Sequence, residues 1–326
     1  MHDETADPFC DHLRALVEMP SLSGYEDVIR EHLVPALGCS GILLMKDDYG
    51  NLWATRPGGR PGHVLLCAHM DKRLHANCVG CPGPGGALRV DADPFRPYGV
   101  RDLRASGFEE EGFSPVRLDR MGPDRWRVMT DRGPASEDTW VFLLAPLREK
   151  DGLLTGKFDD ALGVTLVLDA LLGTDADACP TLSALFTVGE EAGLLGAQYV
   201  VENGGFDRVM PDSVIVLDTS AAMRPGDGIV LYRHCARRPD EPDDSPSNRL
   251  VRHIEAFAAT VNAPVTTHEA RQNDAFVFAG RTPYPTVALE VPIENMHEAV
   301  ETVARSDVEQ MRGFLKTYLR DAASRA

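Results

Sequence analysis

Apolar residues recur along this chain in two rhythms, one helical and one continuous. Across residues 9–37 the spacing is helical, carried by Leu13, Leu16 and Val17 and then by Val28, Ile29 and Leu33. The break Ser21-Leu22-Ser23-Gly24 divides this stretch into two helices. Residues 50–55 read as a strand leaving a turn. Short, uninterrupted apolar runs follow at 63–68, 182–188, 213–217 and 286–291. Helical patterns accompany them at 161–172, 192–203, 250–261 and 303–323. Continuous apolar strands alternating with helices predict an α/β fold with a mostly parallel central sheet flanked by helices. A strand covered on both faces has no polar side.

Between residues 73 and 153 the rhythm is lost. Gly, Pro, Arg and acidic residues dominate, and the short strand candidates are 126–129 and 140–144. A small β-rich domain inserted into the α/β domain is expected here, the latter taking in residues 1–72 and 154–326. Residues 237–248 form a second polar excursion, read as a solvated loop.

Composition narrows the function classes. The chain has 326 residues, of which 33 are Lys or Arg and 50 are Asp or Glu, for a net charge of −17. A hydrophobic share of 43% is enough for a real core and excludes disorder along the whole length. The acidity excludes nucleic acid as the expected partner, since phosphate binding needs a basic surface, but it leaves divalent cations open. No apolar run approaches the roughly 18 residues of a membrane helix, so no membrane partner is expected. The acidic start lacks a basic-then-apolar leader, and the seven cysteines are irregularly spaced. Both features point to a reduced, cytoplasmic protein. Cys78 and Cys81 form a lone CxxC, expected to be a Gly/Pro-rich turn because no second pair completes a zinc ribbon.

The candidate chemistry lies at the strand ends. His69 and Asp71 follow the first run, Glu190 and Glu191 the second, Asp218 the third, and His297 comes shortly after the fourth. Asp159 and Asp160 open the helix beginning near Ala161. Ligands of open α/β sheets bind outside the carboxyl ends of the strands, so the topology gathers these groups into one place. Each feature alone is commonly a cap or a turn; their joint occurrence is what carries weight. Imidazole with carboxylates suits zinc, with cobalt or manganese as alternatives. Two ions about 3.5–4 Å apart need one shared carboxylate, and an Asp serves. Adjacent side chains in Glu190-Glu191 diverge, so one can ligate while the other faces solvent as a base. Asp71 stands where it can accept the second ring N–H of His69 and fix its tautomer.

At these residues the sequence resembles the M42 family of dinuclear metallo-aminopeptidases, within the wider M20/M28/M42 zinc peptidase clan. The likeness rests on AHMDK (68–72), GKFDDALG (156–163), TVGEEAGLLGA (187–197), VLDTS (216–220) and ENMHEAVETV (294–303). PSLSGYEDVIREHL (20–33), DDYGNL (47–52) and RQNDAFVF (271–278) are similar too. The long insert directly after His-x-Asp matches M42 rather than M20 or M28. The resemblance implies that Asp159 bridges two divalent ions, that His69 and Asp218 complete one, and that Glu191 and His297 complete the other. It implies Glu190 as general base, a cis peptide between Asp159 and Asp160, and an insert that mediates homo-oligomer assembly. The chain departs from the family at Ala161, at Glu298 and at Lys72-Arg73-Leu74-His75, where an apolar stretch is usual. His234 and His268 are further candidates for the cleft.

The expected function is a dinuclear metal-dependent hydrolase. It would be an aminopeptidase that removes N-terminal residues from short peptides through a metal-bridging water and a Glu base. The rivals are an amidohydrolase or deacylase acting on a non-peptide amide, and an inactive scaffold on the same fold. Retention of Glu190 beside intact ligands speaks against the scaffold.

Overall fold

The uninterrupted apolar runs pair with one another at the centre of a single sheet. In the computed structural model they are the strands Thr181–Thr187, His63–His69, Ser213–Ser220 and Thr286–Glu294, adjacent in that order and all parallel. The structure describes residues 7–38, 41–73, 78–80, 83–89, 104–109, 112–122, 125–137, 139–233, 244–269, 272–298 and 300–321. Antiparallel strands extend the sheet to 11 strands. Leu52–Arg56 and Leu43–Lys46 lie at one end, and Glu301–Ala304, Leu153–Gly156 and Arg148–Lys150 at the other. Ile229–Arg233 and Val265–Glu269 branch off beside Thr286–Glu294.

The period-2 geometry of a strand sorts its apolar residues onto two faces. Leu65, Cys67, Leu185, Val214 and Val216 pack on one face with Ala197, Val200, Ala275 and Phe278. These partners come from the helices Leu195–Glu202 and Asp274–Arg281. Val64, Leu66, Ala184, Ile215 and Leu217 pack on the other with Leu162, Leu166, Ile254 and Met311. Here the helices are Ala161–Gly173, Pro246–Val261 and Arg305–Asp321. Ala161–Gly173 is buried along nearly all its length, which accounts for its apolar residues on every side. The fold is the mixed α/β architecture with a large, mostly parallel central sheet that the strand pattern predicts.

Some boundaries differ from the sequence reading. The helix expected from residue 192 begins at Leu195, because Leu194 takes the left-handed conformation (φ 60°). Glu190 and Glu191 therefore lie in the turn ahead of it. The helix expected from residue 303 begins at Arg305, because Val303 is paired with Ile293 in the strand Glu301–Ala304. Asp218 lies within the strand Ser213–Ser220 rather than after it. The helix Asp274–Arg281 was not anticipated; at 8 residues it is too short to set up a clear period.

A second sheet runs Cys78–Gly80, Trp140–Leu144, Arg104–Glu109, Gly112–Arg120, Arg125–Thr130, Ala87–Arg89. It has its own small core of Val116, Trp126, Val128, Ala135 and Val141. Arg148–Lys150, inside the span read as the insert, pairs instead with Leu153–Gly156 in the large sheet. Cys81, His75, His234 and residues 237–243 of the polar excursion lie outside the described residues.

Lys72, one of the departures noted above, is fully buried. Its Nζ donates to the carbonyls of Leu16 (2.7 Å), Val17 (3.1 Å) and Met19 (2.6 Å) at the end of the helix Pro8–Glu18. They lie at the negative end of the helix dipole, where carbonyls run short of backbone N–H donors; that of Leu16 accepts only the long bond from the Met19 N–H at 3.3 Å. Replacing Lys72 by Met strands them in the interior. The expected outcome is a loss of about 3 kcal/mol in urea-unfolding stability, and a change below about 0.5 kcal/mol would contradict this role for the ammonium.

Candidate active site

The carboxyl ends of the parallel strands bring the predicted groups together. His69 is the last residue of the strand His63–His69, and Asp218 lies near the end of the adjacent Ser213–Ser220. Asp159 and Asp160 stand at the start of the buried helix Ala161–Gly173, joined by a cis peptide bond. His297 follows the strand Thr286–Glu294, in the left-handed region at φ 68°.

Asp159 sits between the two histidines. Its Oδ1 is 3.2 Å from His69 Nε2 and its Oδ2 is 3.2 Å from His297 Nε2. Asp218 Oδ1 is 3.8 Å from His69 Nε2, and Glu191 Oε1 is 3.5 Å from His297 Nε2. Glu190 Oε2 lies 3.9 Å from His69 Nε2. Two sets of donor atoms gather within 4.8 Å of one another: His69, Asp160 and Asp218 in one, Asp159, Glu191 and His297 in the other. The donor set fits divalent ions on a further ground. Among the described residues Glu191 Oε1 is buried without a hydrogen-bond partner, a costly arrangement for a carboxylate unless a cation meets it.

Asp71 lies behind His69, but it meets the ring chiefly through its main-chain oxygen, and its carboxylate bonds elsewhere. His69 Nδ1 lies 3.0 Å from the main-chain oxygen of Asp71 and 3.4 Å from its Oδ1. The carboxylate accepts the backbone N–H groups of Glu190 (3.0 Å) and Glu191 (3.1 Å) and the hydroxyl of Ser23 (2.6 Å). One side chain thus fixes the turn carrying both glutamates. Glu26 assists by accepting the N–H of Gly189 at 2.9 Å.

Sequence reasoning missed several supports. Glu301 is fully buried and accepts the N–H groups of Phe158 (2.7 Å), Asp159 (3.1 Å) and His297 (2.9 Å), tying two ligand-bearing segments together. Lys157 pairs with it. Asn273 donates to Asp218 Oδ2 (3.1 Å) and Glu290 Oε1 (2.9 Å). Asp160 caps its helix by accepting the N–H of Gly163 at 2.9 Å, and a Cβ on Gly163 would stand 2.3 Å from Asp160 Oδ2. Glu301, Lys157, Asp160 and Asn273 all fall within quoted motifs, and Asp160 stands where a helix cap is expected, but no spacing signal marked the roles of the other three. The cleft over the cluster, about 370 Å³, is also lined by Arg73, Gly193, Leu194 and Gln272. His268 is not among its lining residues; it lies beside Tyr232, with ring centroids 6.2 Å apart.

The electrostatics reflect crowding of acids. Burial, reinforced by Asp218, Asp274 and Asp159, pushes the Glu190 carboxyl well up. Burial and then Asp159 raise Glu191 to about 7. Burial and Asp218 push Asp160 up as well. Burial would depress His69, but Glu190, Asp159, Asp218 and Asp71 outweigh it and hold the imidazole well above its usual range. Asp159 resists its own burial because His297 and His69 hydrogen-bond to it, and its carboxyl is held well down.

The chain matches the M42 glutamyl aminopeptidase family over residues 137–314. A curated protein of Acetivibrio thermocellus, provisionally named an aminopeptidase, is 23% identical over 332 residues, covering 91% of this chain and 94% of its own. Among solved structures, the aminopeptidase APDkam598 of Desulfurococcus kamchatkensis superposes with a TM-score of 0.74 at 18% identity, covering 97% of this chain and 96% of its own. The TET1 peptidase of Pyrococcus horikoshii, described as assembling into a tetrahedron or a large octahedral shell, gives 0.70 at 20% identity, with 96% and 99% covered.

The raised Glu191 carboxyl has a measurable consequence. An unfolded chain releases that proton near 4.5 and the folded chain near 7. Between those values the folded state binds more protons, so its stability falls as pH rises. In urea unfolding with a chelator present, the wild type is expected to lose stability relative to Glu191→Gln between about pH 5 and pH 8. A constant gap across that range would mean that Glu191 ionises freely.

Proposed function

The chain belongs to the M42 glutamyl aminopeptidase family of metal-dependent peptidases, and from that premise we propose that it removes N-terminal residues from short peptides with a pair of divalent ions. The observation that carries this reading is the position of Asp159, whose two oxygens each lie 3.2 Å from a different histidine nitrogen. His69 and Asp218 would complete one ion site, and Glu191 and His297 the other. Zinc, cobalt and manganese all suit such imidazole–carboxylate donors. Bound divalent ions supply a Lewis acid that polarises the scissile carbonyl and lowers the pKa of water.

The chain's own groups do the rest. Glu190 faces the same space as His69 and is nearly buried, and burial raises its affinity for a proton. In this reading it takes the proton from the attacking water and delivers it to the departing amine. Asp71 holds it in place through the backbone of the Glu190-Glu191 turn. A free substrate α-amine, as a neutral nitrogen donor, would suit one of these ion sites, and this would select the free N-terminus of a peptide. The separate sheet within residues 73–153 would serve assembly into homo-oligomers, as the TET1 relative is described to assemble. We place the enzyme in the cytoplasm: Cys10, Cys67 and Cys179 are free thiols, and among the described residues no helix is long and apolar enough to cross a membrane.

Assay of aminoacyl anilides against N-acyl amino acids tests the substrate class, with turnover expected only on the former. Glu190→Gln should retain bound metal and lose about 10³-fold or more in kcat; full activity in that variant would refute the base. Asp159→Ala should lose most of its metal on gel filtration, measured by elemental analysis. Metal content equal to wild type would remove the shared ligand from the scheme.

A further inference from the structure

The two ligand sets differ in what stands behind their histidines. His69 Nδ1 faces the main-chain oxygen of Asp71 at 3.0 Å, an acceptor. That contact keeps a proton on Nδ1, so Nε2, which here meets Asp159 at 3.2 Å, is the nitrogen that would give up its proton to an ion while the Nδ1 contact stays as it is. His297 Nδ1 faces Arg73 Nη1 at 3.0 Å. A guanidinium has donors and no acceptor. The contact therefore needs the lone pair on Nδ1 and puts the proton on Nε2, the atom directed at Asp159 and Glu191. An ion ligated through Nε2 needs the opposite tautomer, with Nδ1–H pointing at Arg73. These two arrangements exclude each other.

Charge acts in the same direction. Arg73 Nη1 is 3.6 Å from Glu191 Oε2, and so neutralises one ligand of this set and repels a dication. The Arg73 side chain is 42% exposed, whereas Glu191 is 6% exposed. The guanidinium can swing out into the cleft while the carboxylate stays.

We propose that Arg73 is an internal cation competing for the Asp159–Glu191–His297 site. The ions then load in order, first at the His69 set and second, weakly and exchangeably, at the His297 set once Arg73 is displaced. The proposal rests on the two-ion reading above and adds an order and a cause of unequal affinity.

The test is calorimetric titration of chelator-stripped protein with Mn²⁺, with ion stoichiometry checked by elemental analysis after equilibrium dialysis. Wild type should show two steps, the second at least tenfold weaker. Arg73→Gln removes the charge and offers an oxygen that can accept from Nδ1–H. It should tighten the second step tenfold or more and leave the first within about threefold, and Arg73→Met should tighten the second step as well. Two steps unchanged in both variants, or both steps shifted equally, would overturn the competition and leave the two-ion reading standing. A single step, insensitive to Glu191→Gln, would overturn the two-ion reading itself. Matching thermal melting of the stripped variants excludes a folding defect.

Discussion

Asp159, Asp160, Asp218, Glu190 and Glu191 are packed around one point at the carboxyl ends of the parallel strands, and their mutual repulsion must be answered by positive charge or by N–H donors. Little else is available so far from water. The fold answers it in layers. His69 and His297 flank Asp159, and backbone N–H groups meet Asp71, Asp160, Asp218 and Glu301. The affinity that remains unanswered is directed into the cleft, where Glu191 Oε1, 3.5 Å from His297 Nε2, receives no hydrogen bond among the described residues. A site of this kind attracts cations because the rest of the molecule leaves it short of them.

Glu301 and Asp71 show how such a site keeps its shape. Each is a buried carboxylate that bonds to main chain from segments distant in sequence. Glu301 joins the approach to Asp159 with the turn at His297, and Asp71 joins the end of one strand with the turn after its neighbour. A backbone N–H has a fixed direction, so accepting two of them fixes the turn more tightly than packing alone. Both residues stand beside proposed ligands and act on them through the chain rather than through an ion.

The departures after His-x-Asp acquire a physical meaning in the same terms. Lys72 turns inward and completes a helix terminus, while its neighbour Arg73 turns outward over the ligand set. One cation serves the fold and the next one modulates the site. Both immediately follow the strand end that carries His69 and Asp71.

Much of this was legible before any coordinates. Continuous apolar runs identified the central strands, since a strand buried on both faces is mostly apolar, and the acids and histidines at or just past the ends of those runs identified the site. The pattern could not reveal the short helix Asp274–Arg281, the antiparallel extensions other than Leu52–Arg56, or the pairing of Arg148–Lys150 with the large sheet, because short or half-exposed elements lack a period of their own. Glu301, Asn273 and Arg73 were equally hidden. Their roles depend on which distant N–H, oxygen or ring nitrogen they meet, and such meetings are decided by how the chain closes in three dimensions. Composition and order along the chain determined which chemistry was gathered; only the tertiary structure decided which carboxylates were satisfied internally and which were left to seek a cation, because that depends on distances and directions a linear pattern does not contain.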